Sequence, residues 1–196
     1  MNAIRAFIAI DLSPEIQERL DDVISQLKER LPDISVRWVS ARKVHLTLKF
    51  LGDISTSNLE MLYEIIRREA VEQSSFELSV GNLGAFPSVK RPRVIWVGIE
   101  APSELYTLQK GIENESAHLG YARERRSFSP HLTIGRVSRN ASSSEVRSLS
   151  NVLSNCKVGF LGATRVSAVH LYRSDLRPDG AVYTQLFCAD LSYLND

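Results

Sequence analysis

The sequence predicts a mixed α+β fold in which helices cover one face of each sheet and leave the other face open. Three observations lead there. Strand-like and helix-like segments follow in the approximate order β-α-β-β-α-β-β-α-β-α-β-β-β, which has no purely parallel rhythm. No glycine-rich phosphate loop follows any strand. Two near copies, Val44-His45-Leu46-Thr47-Leu48 and Pro130-His131-Leu132-Thr133-Ile134, lie about half a chain apart and mark a weak internal repeat. Two facing sheets would set His45 and His131 across a shared groove.

Ala3 to Ile10, rich in Ile, Phe and Ala, reads as a buried strand. Ser13-Pro14-Glu15 then supplies an N-cap hydroxyl, a proline at the first helical position and an acid in the first turn. Ile16, Leu20, Val23, Ile24, Leu27 and Leu31 trace one apolar face until Pro32 ends the helix. Val36 to Val39 is a short strand and Val44 to Leu51 a stronger one. Ideal alternation puts Val44, Leu46, Leu48 and Phe50 on one face of it, with His45, Thr47 and Lys49 on the other. Gly52-Asp53 is expected to turn the chain, and Ser57 with Glu60 to form the capping box of a second helix with Leu59, Leu62, Ile66 and Ala70 inward. Phe76 to Val80 and Arg93 to Ile99 are strands joined by a loop from Gly81 to Arg91. Pro102 opens a third helix, with Leu105, Leu108, Ile112 and Leu119 inward and Gly120 at its end. Ser127 to Val137 is the second histidine strand. Ser142 and Glu145 make a capping box for a fourth helix that buries Val146, Leu149, Val152 and Leu153. Strands at about 157 to 161, 165 to 172 and 183 to 191 complete the order.

A chain of 196 residues can bury a real core as one domain, 1–196, and its apolar fraction of 43 % excludes a disordered chain. The net charge of +1 excludes a tight non-specific duplex binder, because attraction to nucleic acid must then come from a local basic patch. Cys156 and Cys188 lie far apart, Cys188 within an apolar run, so a reducing, cytoplasmic setting is expected. Met1-Asn2-Ala3-Ile4-Arg5 leads into a short apolar run ended by Asp11, without the pattern of a secretory signal. No stretch approaches the roughly 20 apolar residues of a membrane span, so no membrane partner is expected.

Each motif sets a histidine and a threonine two residues apart, and the period of a strand points both to one face. With 4 histidines in the chain, a given His meets a Thr two places on by chance only about 3 % of the time, so the repeated pair is specific. Histidine titrates near neutrality without special help. Two imidazoles on opposite sides of a small electrophile can act as base and acid, the layout that in-line displacement at phosphorus requires. Thr47 and Thr133 can donate hydroxyl hydrogens to the remaining phosphate oxygens. The motif lacks the paired His, Cys or carboxylate spacing of zinc sites, so neither metal nor cofactor is expected. His118, at a helix end, reads as a dipole-compensating or surface residue, and His170 as strand packing, with a place on the groove rim as the alternative.

On these residues the chain resembles the two-histidine (2H) phosphoesterase superfamily, and more narrowly the RNA 2',3'-cyclic phosphodiesterases, also called 2'-5' RNA ligases. The resemblance runs through Arg5-Ala6-Phe7-Ile8-Ala9-Ile10-Asp11, Val36-Arg37-Trp38-Val39, His45-Leu46-Thr47-Leu48-Lys49-Phe50-Leu51-Gly52, Gly84-Ala85-Phe86-Pro87, Pro130-His131-Leu132-Thr133-Ile134-Gly135-Arg136, and Leu171-Tyr172-Arg173-Ser174 with Gly180 and Tyr183. It implies a bilobal α+β fold, with a pseudo-twofold pair of antiparallel sheets flanking a central groove and helices on the outer faces. It also implies metal-independent opening of an RNA terminal 2',3'-cyclic phosphate to a 2'-phosphomonoester, with His45 as proton donor and His131 as acceptor, and 2'-5' ligation as the reverse reaction. RNA 3' ends or small cyclic nucleotides are the implied partners, and a monomer is expected. Arg136 matches the pattern as a phosphate contact. Ideal alternation would put it on the face of Leu132 and Ile134, and a bulge at Gly135 would return it to the groove. Phe50 or Phe86 could stack a base, and Lys90, Arg91, Arg93, Arg123, Arg125 and Arg126 could guide an RNA strand. Two alternatives stand beside this reading: a phosphodiesterase on another cyclic or 2'-5' linked nucleotide, and an RNA-end binding module with incidental catalysis.

Overall fold

The apolar stripes of the sequence meet between one antiparallel sheet and four helices in the computed structural model, which describes residues 3–178 and 180–192. Met1 and Asn2 lie outside the described residues. The elements are β1 (Ala3–Ile10), α1 (Pro14–Arg30), β2 (Val36–Trp38), β3 (Leu46–Ser55), α2 (Leu59–Val71), β4 (Phe76–Ser88), β5 (Arg91–Glu100), α3 (Ser103–His118), β6 (His131–Val137), α4 (Ser143–Asn155), β7 (Phe160–Val166), β8 (Ala168–Arg177) and β9 (Gly180–Asp190).

The strands lie in the order β7-β4-β5-β6-β3-β1-β8-β9, with β2 paired to β6. This order is a palindrome about the β6–β3 junction: β3 corresponds to β6, β1 to β5, β8 to β4 and β9 to β7. The two lobes meet through one register pair, Leu46 opposite Leu132, both fully buried. The two expected sheets are thus halves of one hydrogen-bonded sheet. α2 and α3 cover the lobe of β3, β1, β8 and β9, while α1 packs on β7 and α4 on β5. Two helices cross between lobes. α1 leaves β1 for the other lobe, where Thr164 of β7 accepts from the Ser13 amide (3.2 Å), and α3 leaves β5 to lie against β3.

The helix caps follow the sequence closely. Ser13 accepts from the Ile16 amide, and Ser142 and Glu145 form the full capping box of α4. The expected box of Ser57 and Glu60 does not form. Thr56–Asn58 makes a single 3-10 turn capped by Ser55, which moves the start of α2 beyond Ser57. The loop expected from Gly81 to Arg91 is also corrected, because β4 and β5 form one long hairpin paired as far as Ser88 opposite Arg91. Its glycines and proline sit at or beside register shifts, where a strand tolerates them. At Gly84 the backbone must lie under the Trp96 indole, since a Cβ there would come within 2.3 Å of the ring. Gly52 does not turn the chain either. It takes φ +72° inside β3, at a register shift against β1.

Candidate active site

The junction pair places the two motifs beside each other. With Leu46 opposite Leu132, the antiparallel sense sets His45 across from Thr133 and Thr47 across from His131. All four side chains line one groove of about 440 Å3, together with Arg5, Phe7, Arg37, Lys43, Phe50, Arg136 and Tyr183. Among the described residues the groove lining holds four cationic side chains and no carboxylate.

Both histidines are oriented in the same way. His45 Nδ1 lies 2.9 Å from the Lys43 carbonyl and His131 Nδ1 lies 2.7 Å from the Ser129 carbonyl. A carbonyl can only accept, so each Nδ1 carries the hydrogen and each Nε2 is left to exchange a proton. The ring of His45 stacks on Phe7 (4.6 Å between centroids) and meets the edge of Tyr183 (5.2 Å). Burial there pushes the His45 imidazole below its ordinary range. The Lys43 carbonyl and the Asp11 carboxylate oppose that shift, and the Arg136 guanidinium adds to it. Tyr183 is pushed up by burial, with Arg136, Arg37 and Arg5 pulling it back.

The bulge expected at Gly135 is present, and β3 has a counterpart. Opposite β5, the register moves from Trp96–Thr133 to Ile95–Gly135 and skips Ile134. Opposite β1, it moves from Ala9–Thr47 to Ile8–Lys49 and skips Leu48. Each bulge therefore falls on the residue after the motif threonine, and it reverses the parity of the strand beyond it. Arg136 returns to the groove in one strand and Phe50 in the other. This corrects the faces expected of β3. Phe50 is 53 % exposed, whereas Lys49 is turned inward and buried.

Of the other candidates, Phe86 stands edge-on to His131 (4.9 Å) without being part of the groove lining. Lys90, Arg91, Arg93, Arg123, Arg125 and Arg126 are also outside that lining, and Arg93 donates to the Ser138 carbonyl. His118 is exposed near Glu115, and His170 sits in β8 with Nε2 3.7 Å from Asp11, in line with the surface and packing roles expected of them. The sequence alone assigns no role in the site to Arg5, Arg37, Lys43 or Tyr183. Arg5 has a usable signal, the i, i+2 spacing from Phe7 in β1. Arg37 has none, because its place depends on β2 pairing with β6, where it stands directly opposite Arg136. Two like charges facing each other across a ladder are unfavourable without an anion between them.

A model of the family described as LigT like Phosphoesterase matches the chain twice, over residues 10–96 and 97–183, each match taking in one of the two motifs. The RNA 2',3'-cyclic phosphodiesterase of Methanothermobacter thermautotrophicus is 34 % identical over 183 residues, covering 93 % of this chain and 96 % of that one. The Escherichia coli K12 protein of the same name is 30 % identical over 93 % of each chain. Among solved structures, E. coli LigT complexed with 3'-AMP superposes with a TM-score of 0.76 at 28 % identity, covering 97 % of this chain and 99 % of that one. TT0787 of Thermus thermophilus superposes at 0.80 with 26 % identity, covering 98 % of this chain and all of that one.

Proposed function

Since the chain belongs to the LigT-like phosphoesterase family, we propose that it hydrolyses the 2',3'-cyclic phosphate at an RNA 3' end to a 2'-phosphomonoester, with residues 1–196 acting as one bilobal catalytic unit. The observation that carries this reading is the pair of imidazoles in one groove, each with Nδ1 held by a carbonyl and Nε2 left to the groove.

The cyclic phosphodiester sits between the two motifs. His131 Nε2 takes a proton from water as its oxygen bonds to phosphorus. The bond from phosphorus to O3' breaks, and His45 Nε2–H gives its proton to the departing O3'. One water is consumed, and a 3'-hydroxyl and a 2'-phosphate are formed. Proton exchange with solvent then returns His131 to neutrality and His45 to its charged form. Run in the same direction with a 5'-hydroxyl in place of water as the attacking group, the same steps give 2'-5' ligation, and their reverse cleaves a 2'-5' bond to regenerate the cyclic phosphate.

Thr47 and Thr133 donate to the non-bridging oxygens, and Arg136, with Arg37 opposite it, balances their charge. The bound anion also offsets the burial that disfavours charge on His45, so the proton donor is charged when substrate is present. Phe50, exposed at the groove edge, offers a face to the terminal base. In this reading the two imidazoles themselves supply the acid and the base, so turnover is expected to persist without a metal.

A short RNA with a 2',3'-cyclic end, incubated with the protein in excess chelator, should yield the 2'-phosphate. His45→Ala and His131→Ala should each lower the rate by about 100-fold or more. Absence of that product from the wild-type protein, or full activity in either variant, would refute the assignment.

A further inference from the structure

The two bulges that shape the groove are supported differently. The carbonyl of Ile134 accepts from the amide of Val39 (2.9 Å), just beyond β2, and the Trp38 ring lies over Gly135. At the matching place in β3, the carbonyl of Leu48 accepts from the Gln109 side chain of α3 (3.4 Å). One turn further along α3, Glu113 accepts from Lys49 Nζ (2.5 Å), the side chain that the bulge turns inward. Lys49 is 3 % exposed and Glu113 13 %.

The same pair reaches the other motif. Lys49 Nζ also donates to the Ala122 carbonyl (2.6 Å), and Glu113 accepts from the Glu124 amide (2.7 Å). Residues 121–130 lead directly to His131 and include Ser129, whose carbonyl holds its Nδ1. Direct pairing between β3 and β6 is one residue pair long, so it leaves the relative placement of the motifs underdetermined. A buried ion pair is weak evidence of stabilisation and is better suited to fixing one geometry among several.

We propose that Lys49, Glu113 and Gln109 form a positioning clamp that holds the β3 bulge and the approach to His131 together, and so sets the distance and alignment of the two imidazoles. None of the three touches the reacting atoms. The proposal rests on the two-histidine hydrolysis described above, and its test separates the two ideas.

Lys49→Met leaves Glu113 without its cation and can fail to fold, so the decisive variant is Lys49→Met with Glu113→Leu, which leaves no unpaired charge. Thermal unfolding and ligand titration would establish the folded, binding-competent fraction. Per competent site, kcat on a cyclic-ended RNA should fall by about 10- to 100-fold, with KM within about threefold of wild type. Gln109→Leu should give a smaller fall in kcat with the fold intact. Hydrogen exchange should quicken in residues 46–50 and 121–130 of both variants, with α1 and α4 unchanged. Wild-type kcat per competent site in the double variant, or wild-type exchange in both segments, overturns the clamp. Should the wild-type protein leave the cyclic end uncut, the hydrolysis reading fails and the exchange measurement still judges the clamp.

Discussion

His45 is held by more than its motif. Tyr172 donates its hydroxyl to Asp11 Oδ2 (2.7 Å), which fixes a carboxylate near His45, and that carboxylate works against the loss of charge that burial imposes on the ring. Asp11→Asn removes the carboxylate's charge, so the His45 pKa should move further down. With His45 as the proton donor, kcat/KM should fall by up to about tenfold on the alkaline side of the pH profile and stay unchanged on the acid side. With His45 as the base, the same variant would instead raise the rate on the acid side. A pH profile of the variant therefore assigns the donor by a criterion independent of family resemblance. The histidines and threonines were legible in the sequence because their chemistry is carried by residue type and a two-residue spacing. Tyr172, whose contact reaches 161 positions back along the chain to Asp11, offered no local signal.

Among the elements, most of what is local was legible, and most of what a partner decides was not. The unformed box of Ser57 and Glu60 and the bulge at Gly135 are the respective exceptions. The caps of α1 and α4 depend on four consecutive residues, and both form as the sequence indicates. Bulges depend on the register of a neighbouring strand, so strict alternation misplaced Lys49 and Phe50, and the glycines and proline of β4 read as a loop. Glu145 joins local and distant structure: it accepts from the amides of Ser142 and Ser35 and from both hydroxyls, and these bonds pull its carboxyl down to about 2. Such a group stabilises the fold fully above its unfolded value of 4.5, and the contribution is lost as pH falls toward about 2. Glu145→Gln should therefore flatten the decline of thermal stability across that acid window. Ser142→Ala, which removes the cap, should cost about 1 kcal/mol in denaturant unfolding at neutral pH.

At the scale of the molecule, charge is distributed unevenly. The chain as a whole carries +1, yet Arg5, Arg37, Lys43 and Arg136 converge on one groove, contributed by β1, β2, the turn before β3, and β6. The motif repeat announced a two-part site, but the four cations lie up to 131 positions apart, from Arg5 to Arg136, and only the folded sheet gathers them. Their convergence makes the groove a short-range anion trap, while the rest of the chain, at a net −3 once these four are taken from +1, gives no long-range attraction to an anion, with fields screened beyond about 8 Å at physiological salt. An RNA held only here has its terminal phosphate and at most two neighbours neutralised. Its affinity should then fall with salt at a log–log slope no steeper than about −2, given roughly −0.7 per phosphate for a single strand. Slopes for a trinucleotide and for a long RNA with the same cyclic end should agree, as measured by competition binding across salt concentrations. A markedly steeper slope for the long RNA would place part of its path outside the groove, and loss of the excess in a variant lacking Arg123, Arg125 and Arg126 would assign that path to the exposed loop before His131.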